Sequence, residues 1–159
     1  MHRRLIHESY GCPLWLERGF VYLGVLVGIA GPFRIIYLHD IRDWSQRHES
    51  CHAYFSHQNP LWRAFIWQFF CELRLAHPPQ LQLEPRVATN RFYQFLDRTW
   101  MLQQLPWAIL FYALGGVSFV VWGIFVRITV SMLVLYLFGY FAHNSGSRDW
   151  HLNGHAVQG

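Results

Sequence analysis

Apolar residues along this chain fall into three runs separated by polar stretches that stay rich in aromatics. The first run, residues 14–37, reads LWLERGFVYLGVLVGIAGPFRIIY. Its uncharged middle, Phe20 to Ala30, ends where Gly31-Pro32 breaks it and Arg34 charges it. A helix rises 1.5 Å per residue and needs ~20 apolar residues to cross a bilayer. This run is too short for that, so it predicts a helix lying in, or dipping into, the membrane interface. Residues 38–98 predict cytoplasmic amphipathic helices. Within them Asn59-Pro60 marks a turn, Leu61 to Leu75 reads as helix, and Pro78-Pro79 stops it. Trp62, Phe65, Phe69 and Leu73 recur at helical spacing and predict a packing stripe.

The third run, residues 99–142, is the strongest signal. Leu105 to His143, LPWAILFYALGGVSFVVWGIFVRITVSMLVLYLFGYFAH, carries one charge, Arg127. The run has room for two helices of ~20 residues, with Gly115-Gly116 as the turn and Pro106 near the start of the first. Arg91 and Arg98 precede it and Arg148 follows it, whereas the inner turn is uncharged. The positive-inside rule places both ends in the cytoplasm and the turn toward the far side. A long hairpin buried in a soluble core is the competing reading. The fold class expected is all-α: an integral membrane helical protein with a two-helix transmembrane hairpin and His-bearing helices on the cytoplasmic or interfacial side. No repeat or low-complexity tract interrupts this single domain over residues 1–159.

Composition agrees with the pattern. Hydrophobic residues make up 53% of the 159, aromatics 18%, and charged residues only 14%, against about 25% in soluble domains. The net charge of +4 suits nucleic acid, anionic lipid or acidic substrates. The apolar content favours lipid, and nucleic acid is not expected as a partner. Three cysteines, Cys12, Cys51 and Cys71, form no short-spaced pair and no cleavable leader precedes them, so reduced thiols are expected.

Histidine changes the picture most. There are 10, and eight of them cluster at the edges of the apolar runs: His2 and His7, then His48, His52 and His57, then His143, His151 and His155. On a helix four residues advance about 40°, so His48 and His52 share a face, whereas His2 and His7, about 140° apart, do not. Neutral imidazoles from several helices can enclose Fe, Zn or Cu. An isolated pair is ordinary surface decoration; three clusters on one side of a membrane are not.

The residues His2-Arg3-Arg4-Leu5-Ile6-His7-Glu8-Ser9-Tyr10 resemble the first histidine box, H-R-x-x-x-H-x-S-[FY], of the integral-membrane fatty acid desaturases of the acyl-CoA, delta-9 type. That family's second box, H-R-x-H-H, follows a tryptophan by four residues. Here Trp44 is followed by His48-Glu49-Ser50-Cys51-His52, with Glu49 in place of the arginine and Cys51 in place of the middle histidine. The apolar hairpin ending in FAHNSG resembles the family's last pair of spans, which puts a ligand at His143. Gly139 stands where the family has an asparagine. The third box, H-N-x-H-H, has no counterpart; His151-Leu152-Asn153-Gly154-His155 is only a loose echo. The span before the first box is likewise missing, so a chain truncated at both ends is expected.

What the resemblance implies is an O₂-dependent oxidoreductase with two irons, which inserts a cis double bond into an acyl chain. The metal ligands implied are His2, His7, His48, His52 and His143, with Trp44 lining the acyl tunnel or anchoring at the interface. The partners implied are the bilayer, an acyl chain linked to CoA, carrier protein or lipid, and an external electron donor; no GxGxxG loop or iron–sulfur cysteine pattern supplies one internally. Two alternatives stay open: a degenerate, inactive desaturase-like membrane protein, and a basic membrane protein that binds lipid or a partner.

Overall fold

The computed structural model describes residues 11–46, 54, 59–75, 77, 79–80 and 83–144. Among the described residues every regular element is helical and none is a strand. The chain divides into two units, Met1–Leu38 with Gln82–Met132 and His39–Leu81 with Leu133–Gly159.

The first unit is organised by α1, Leu14–Leu26. Pro13 starts it, its carbonyl accepting from the amides of Leu16 and Glu17, as suits a residue that fixes φ and cannot itself donate. Glu17, Val21 and Val25 recur every four residues on one buried ridge, while Trp15 and Leu23 point outward. That ridge meets α5, Arg91–Thr99. Asn90 caps α5 by accepting from the Phe92 amide at 3.0 Å. Tyr93 and Leu96, three apart on α5, join Val21 and Val25 of α1 with Ile36 and Val87 in one core. Each aliphatic side chain of this core stabilises the unit by about 1.5–3 kcal/mol on burial. Val87 comes from α4, a single turn over Pro85–Ala88.

The run 14–37 is not one helix. It stops after Leu26, turns through Gly28 at φ 85°, and restarts as α2, Pro32–Gln46. Pro32 supplies the first helical residue, where its missing N–H leaves nothing unsatisfied. The Phe33 amide donates to Asp97 Oδ1 of α5 at 2.9 Å. A carboxylate from another helix thus caps α2, favoured by the positive end of the helix dipole. Gly31 permits this approach, since a Cβ there would fall 2.7 Å from Asp97 Cα.

The long apolar stretch forms α6, Gln104–Val120, a π-helical turn over Val121–Val126, and α7, Arg127–Asn144. Helical backbone fails at Gly115 and Gly116, and Gly116 takes φ 66°, open to glycine without strain. Beyond it the chain returns alongside itself. Gly123 sits where a Cβ would come 2.6 Å from the Phe111 ring, and Arg127 reaches Gln104. The arms are unequal. Gln104 to Leu114 rises only about 16 Å, short of the roughly 30 Å of a bilayer core. Gln104–Phe141 is the one described stretch long and apolar enough to cross a membrane, and almost none of it is buried within the protein.

In the second unit, α3 covers Leu61–Phe70 and then gives way to extended backbone at Cys71. The helix expected to reach Leu75 therefore ends at Phe70. Arg74 donates to Glu72 at 2.7 Å, a pairing of residues two apart that share a side in extended chain but not on a helix. Leu73 consequently leaves the expected stripe. Phe65 and Phe69 keep it, meeting the Tyr136 ring edge-on at 5.7 and 5.6 Å. Trp62 turns outward, 62% exposed.

Replacing Gly31 with Ala should destabilise the protein by about 1–3 kcal/mol, the usual range for overpacking. Gly19→Ala on α1, where a Cβ meets nothing within 4 Å, should stabilise it by roughly 0.5–1 kcal/mol. Thermal unfolding of both variants in detergent measures the pair. Equal effects would refute the close approach to Asp97.

Candidate metal centre

Of the five histidines expected as ligands, His2, His7, His48 and His52 lie outside the described residues. His143 falls in the last turn of α7, Arg127–Asn144, with its side chain outside the described part. Trp44 lies half-buried in the last turn of α2. Among the described residues no three His, Cys, Asp or Glu side chains converge on a point that could hold a metal. The described residues show instead how the segments leading to those histidines are held.

Two polar clusters secure α1. Near its start Glu17, 2% exposed, accepts from the Tyr93 hydroxyl at 2.5 Å and from Arg86 Nη1 at 3.1 and 3.3 Å. A buried carboxylate is tolerable only when paired and hydrogen-bonded, and these two partners supply both. The cluster ties α1 to α4 and α5 at once. Burial, followed by the hydrogen bond and negative charge of Glu17, holds the Tyr93 phenol well above its ordinary 10.0; the nearby arginines oppose this. The sequence signals this cluster only by one acid in the first turn of a helix that is apolar apart from it and Arg18, and no motif points to it.

At the other end of α1, the Leu26 carbonyl accepts from Arg127 Nη1 at 2.7 Å and from Gln104 Nε2 at 3.1 Å. Arg127 also donates from Nε to the Gly123 carbonyl at 2.8 Å and from Nη2 to Gln104 Oε1 at 2.6 Å. The single charge of the apolar run therefore has three acceptors across its guanidinium fork. One of them belongs to the C-terminal turn of α1, where the helix dipole favours a cation. Sequence alone marks Arg127 as an isolated charge but gives no partner for it.

This chain is 31% identical over 179 aligned residues to the sn-1 stearoyl-lipid 9-desaturase of Synechocystis sp., a match covering 99% of this chain and 55% of that protein. It is 30% identical to the sn-1 stearoyl-lipid 9-desaturase of Anabaena variabilis, covering 99% of this chain and 64% of the relative. The acyl-CoA C20 Delta5-desaturase of Anemone leveillei is 27% identical over 94% of this chain and 47% of its own length. The chain spans about half the length of these curated relatives. No protein-family model matches it, and no solved structure matches it.

Tyr93→Phe should cost about 1–3 kcal/mol, because the buried carboxylate loses a donor. The phenol's folded pKa is raised, so its contribution is fully present below pH 10.0 and fades as pH climbs toward the folded value. Wild-type stability should therefore fall in alkali more steeply than that of Tyr93→Phe, as read by denaturant unfolding across pH; parallel curves would contradict the cluster. In the same unfolding measurement at neutral pH, Arg127→Met should cost roughly 1.5–3 kcal/mol for charge-assisted bonds lost. Arg127→Lys should recover only part of it, since an ammonium cannot span the three acceptors.

Proposed function

Starting from this chain's membership of the fatty acid desaturase family, we propose that it carries the histidine ligands and membrane segment of an O₂-dependent acyl desaturase. What supports this most is the match to desaturases over 94 to 99% of the chain, together with the first-box residues His2 to Tyr10.

In this reading His2, His7, His48, His52 and His143 hold iron through neutral imidazole nitrogens, a donor type that suits it. Iron, when bound, supplies the oxidant that an unactivated C–H bond requires. Two adjacent methylenes of the acyl chain lose one hydrogen each, and O₂ with two external electrons and two protons leaves as two waters. The similarity to stearoyl-lipid desaturases favours a lipid-linked acyl chain, with Trp44 against it. The chain's own contribution is to hold the substrate in register and exclude water around it.

The stretch 99–142 is proposed to enter the bilayer with Arg91, Arg98 and Arg148 on the cytoplasmic side, the side of the histidine clusters. The large apolar side chains exposed along it support this, among them Ile109, Leu114, Trp122, Phe125 and Phe138. Such continuous apolar exposure is foreign to soluble monomers. Glu17, Arg86, Tyr93 and Asp97 then act as positioning residues, fixing α1 and α2 between the first and second boxes.

A second reading, a degenerate desaturase-like protein that makes no double bond, is favoured by Cys51 and Glu49 in the second box. Iron analysis of the chain purified in detergent, paired with the fatty-acid profile of an expressing host, separates the two. The proposal expects bound iron that falls in His48→Ala and His143→Ala, and a new monounsaturated acyl chain absent from both variants. Iron without a double bond would favour the degenerate form, and neither would leave a lipid-binding membrane protein.

A further inference from the structure

The helix α3, Leu61–Phe70, has two apolar sides and only one of them is packed. At about 100° per residue, Phe65 and Phe69 fall together and meet Tyr136. Trp62, Ile66 and Phe70 fall on a second ridge, each four residues from the last. They are 62%, 44% and 77% exposed. Arg63 borders this ridge, its guanidinium 5.7 Å from the Trp62 ring and 5.8 Å from that of Trp67. It forms no ion pair with a carboxylate among the described residues.

The place where α3 is tied down identifies what covers the ridge. Tyr136 donates to the Leu61 carbonyl at 2.6 Å and Tyr140 to the Asn59 carbonyl at 2.8 Å. Both tyrosines lie in the closing turns of α7, beside the outward-facing Leu137, Phe138 and Phe141. The start of α3 is thus fixed to the polar end of the apolar stretch, and its open ridge adds to the apolar surface of those closing turns. Tryptophan and tyrosine at that level, with a cation beside them, are the chemistry of the headgroup region. A second protein surface would have to bring its own carboxylate to Arg63, whereas a phospholipid headgroup always carries a phosphate.

We propose that Trp62, Ile66 and Phe70 form an interfacial membrane anchor whose apolar side chains enter the headgroup–acyl boundary, with Arg63 pairing a lipid phosphate. This rests on the reading that α7 crosses a bilayer. The indoles of Trp62 and Trp67 hold the guanidinium by cation–π attraction while it faces the phosphate. The helix would then lie with its ridge about 5–10 Å into the boundary, steadying the segment that follows the second histidine box.

The test uses the full chain with Cys12, Cys51 and Cys71 replaced by Ser, reconstituted into equimolar phosphatidylcholine and phosphatidylglycerol vesicles. A nitroxide is attached in turn to Trp62→Cys, Ile66→Cys, Phe70→Cys, Glu72→Cys and Phe138→Cys. Collision rates with oxygen, which partitions into lipid, and with a water-soluble nickel chelate are then compared. The anchor predicts a several-fold oxygen excess at the three ridge positions, a larger one at Phe138→Cys, and nickel dominance at Glu72→Cys. Ridge labels open to nickel, or shielded from both quenchers as a second copy of the chain would shield them, overturn the anchor while a lipid-like Phe138→Cys keeps the membrane reading. A nickel-exposed Phe138→Cys overturns the membrane reading and the anchor with it. Arg63→Glu should move the Phe70→Cys label toward nickel several-fold in these vesicles; an unchanged ratio removes the phosphate from the proposal. Should the cysteine-free chain misfold, wild-type and Trp62→Phe proteins in brominated lipid give a second reading. Shallow bromines should quench wild-type fluorescence more, and equal quenching would overturn the anchor.

Discussion

The guanidinium of Arg127 meets the carbonyl of Leu26, and the first unit is arranged around that meeting. An unpaired cation in so apolar a run would be expensive to bury, and an unpaired carbonyl at a helix end nearly as much. Each solves the other's problem, with the Gln104 side chain bridging the two by accepting from Arg127 and donating to Leu26. The bond is possible only because Gly115 and Gly116 turn the chain back; along an unbroken helix Gln104 and Arg127 would stand about 34 Å apart. Glycine at the turn and arginine in the return arm therefore form one device.

At the opposite end of α1, Glu17 repeats the logic with the charge reversed. Its buried carboxylate draws in Tyr93 and Arg86, and through them α5 and α4. The same helix α5 buries Leu96 in the core and, one residue further on, turns Asp97 toward α2 to cap it. A helix gripped at both ends and a second helix capped by the first one's partner leave little freedom in the segment from Leu14 to Leu38. That rigidity would suit the proposed metal centre, whose ligands must be held to within fractions of an ångström.

The relation to desaturases gives these supports a purpose. Relatives of which this chain spans about half match it over nearly all of its residues, so the segments held here correspond to a part of those proteins' plan. The short first arm, Gln104 to Leu114, and the longer return through α7 show that the apolar stretch is not built from two equal rods. The exposed ridge on α3 extends the apolar surface beyond the stretch that hydropathy alone would assign to lipid.

Much is legible in the residues themselves. Gly31-Pro32 breaks the first apolar run, Gly115-Gly116 marks the reversal, and the H-x4-H spacing of His2 and His7 carries the resemblance to desaturases, because turns, breaks and sequence motifs are local and written in neighbouring residues. The partners of Arg127, the burial of Glu17 and the cap that Asp97 gives to α2 are not legible. Each joins residues distant in the chain, and Arg127 finds its partner across a reversal as well. No periodicity encodes which distant carbonyl or amide a side chain will find. The stripe on α3 shows the same divide. Sequence spacing identifies Phe65 and Phe69 as packing residues, but the extended backbone after Phe70 and the position of Tyr136 decide that Trp62 faces outward. Sequence determined which side chains were apolar, charged or chemically able to ligate a metal; only the tertiary structure decided which of them found one another, because that choice depends on how distant segments are brought together.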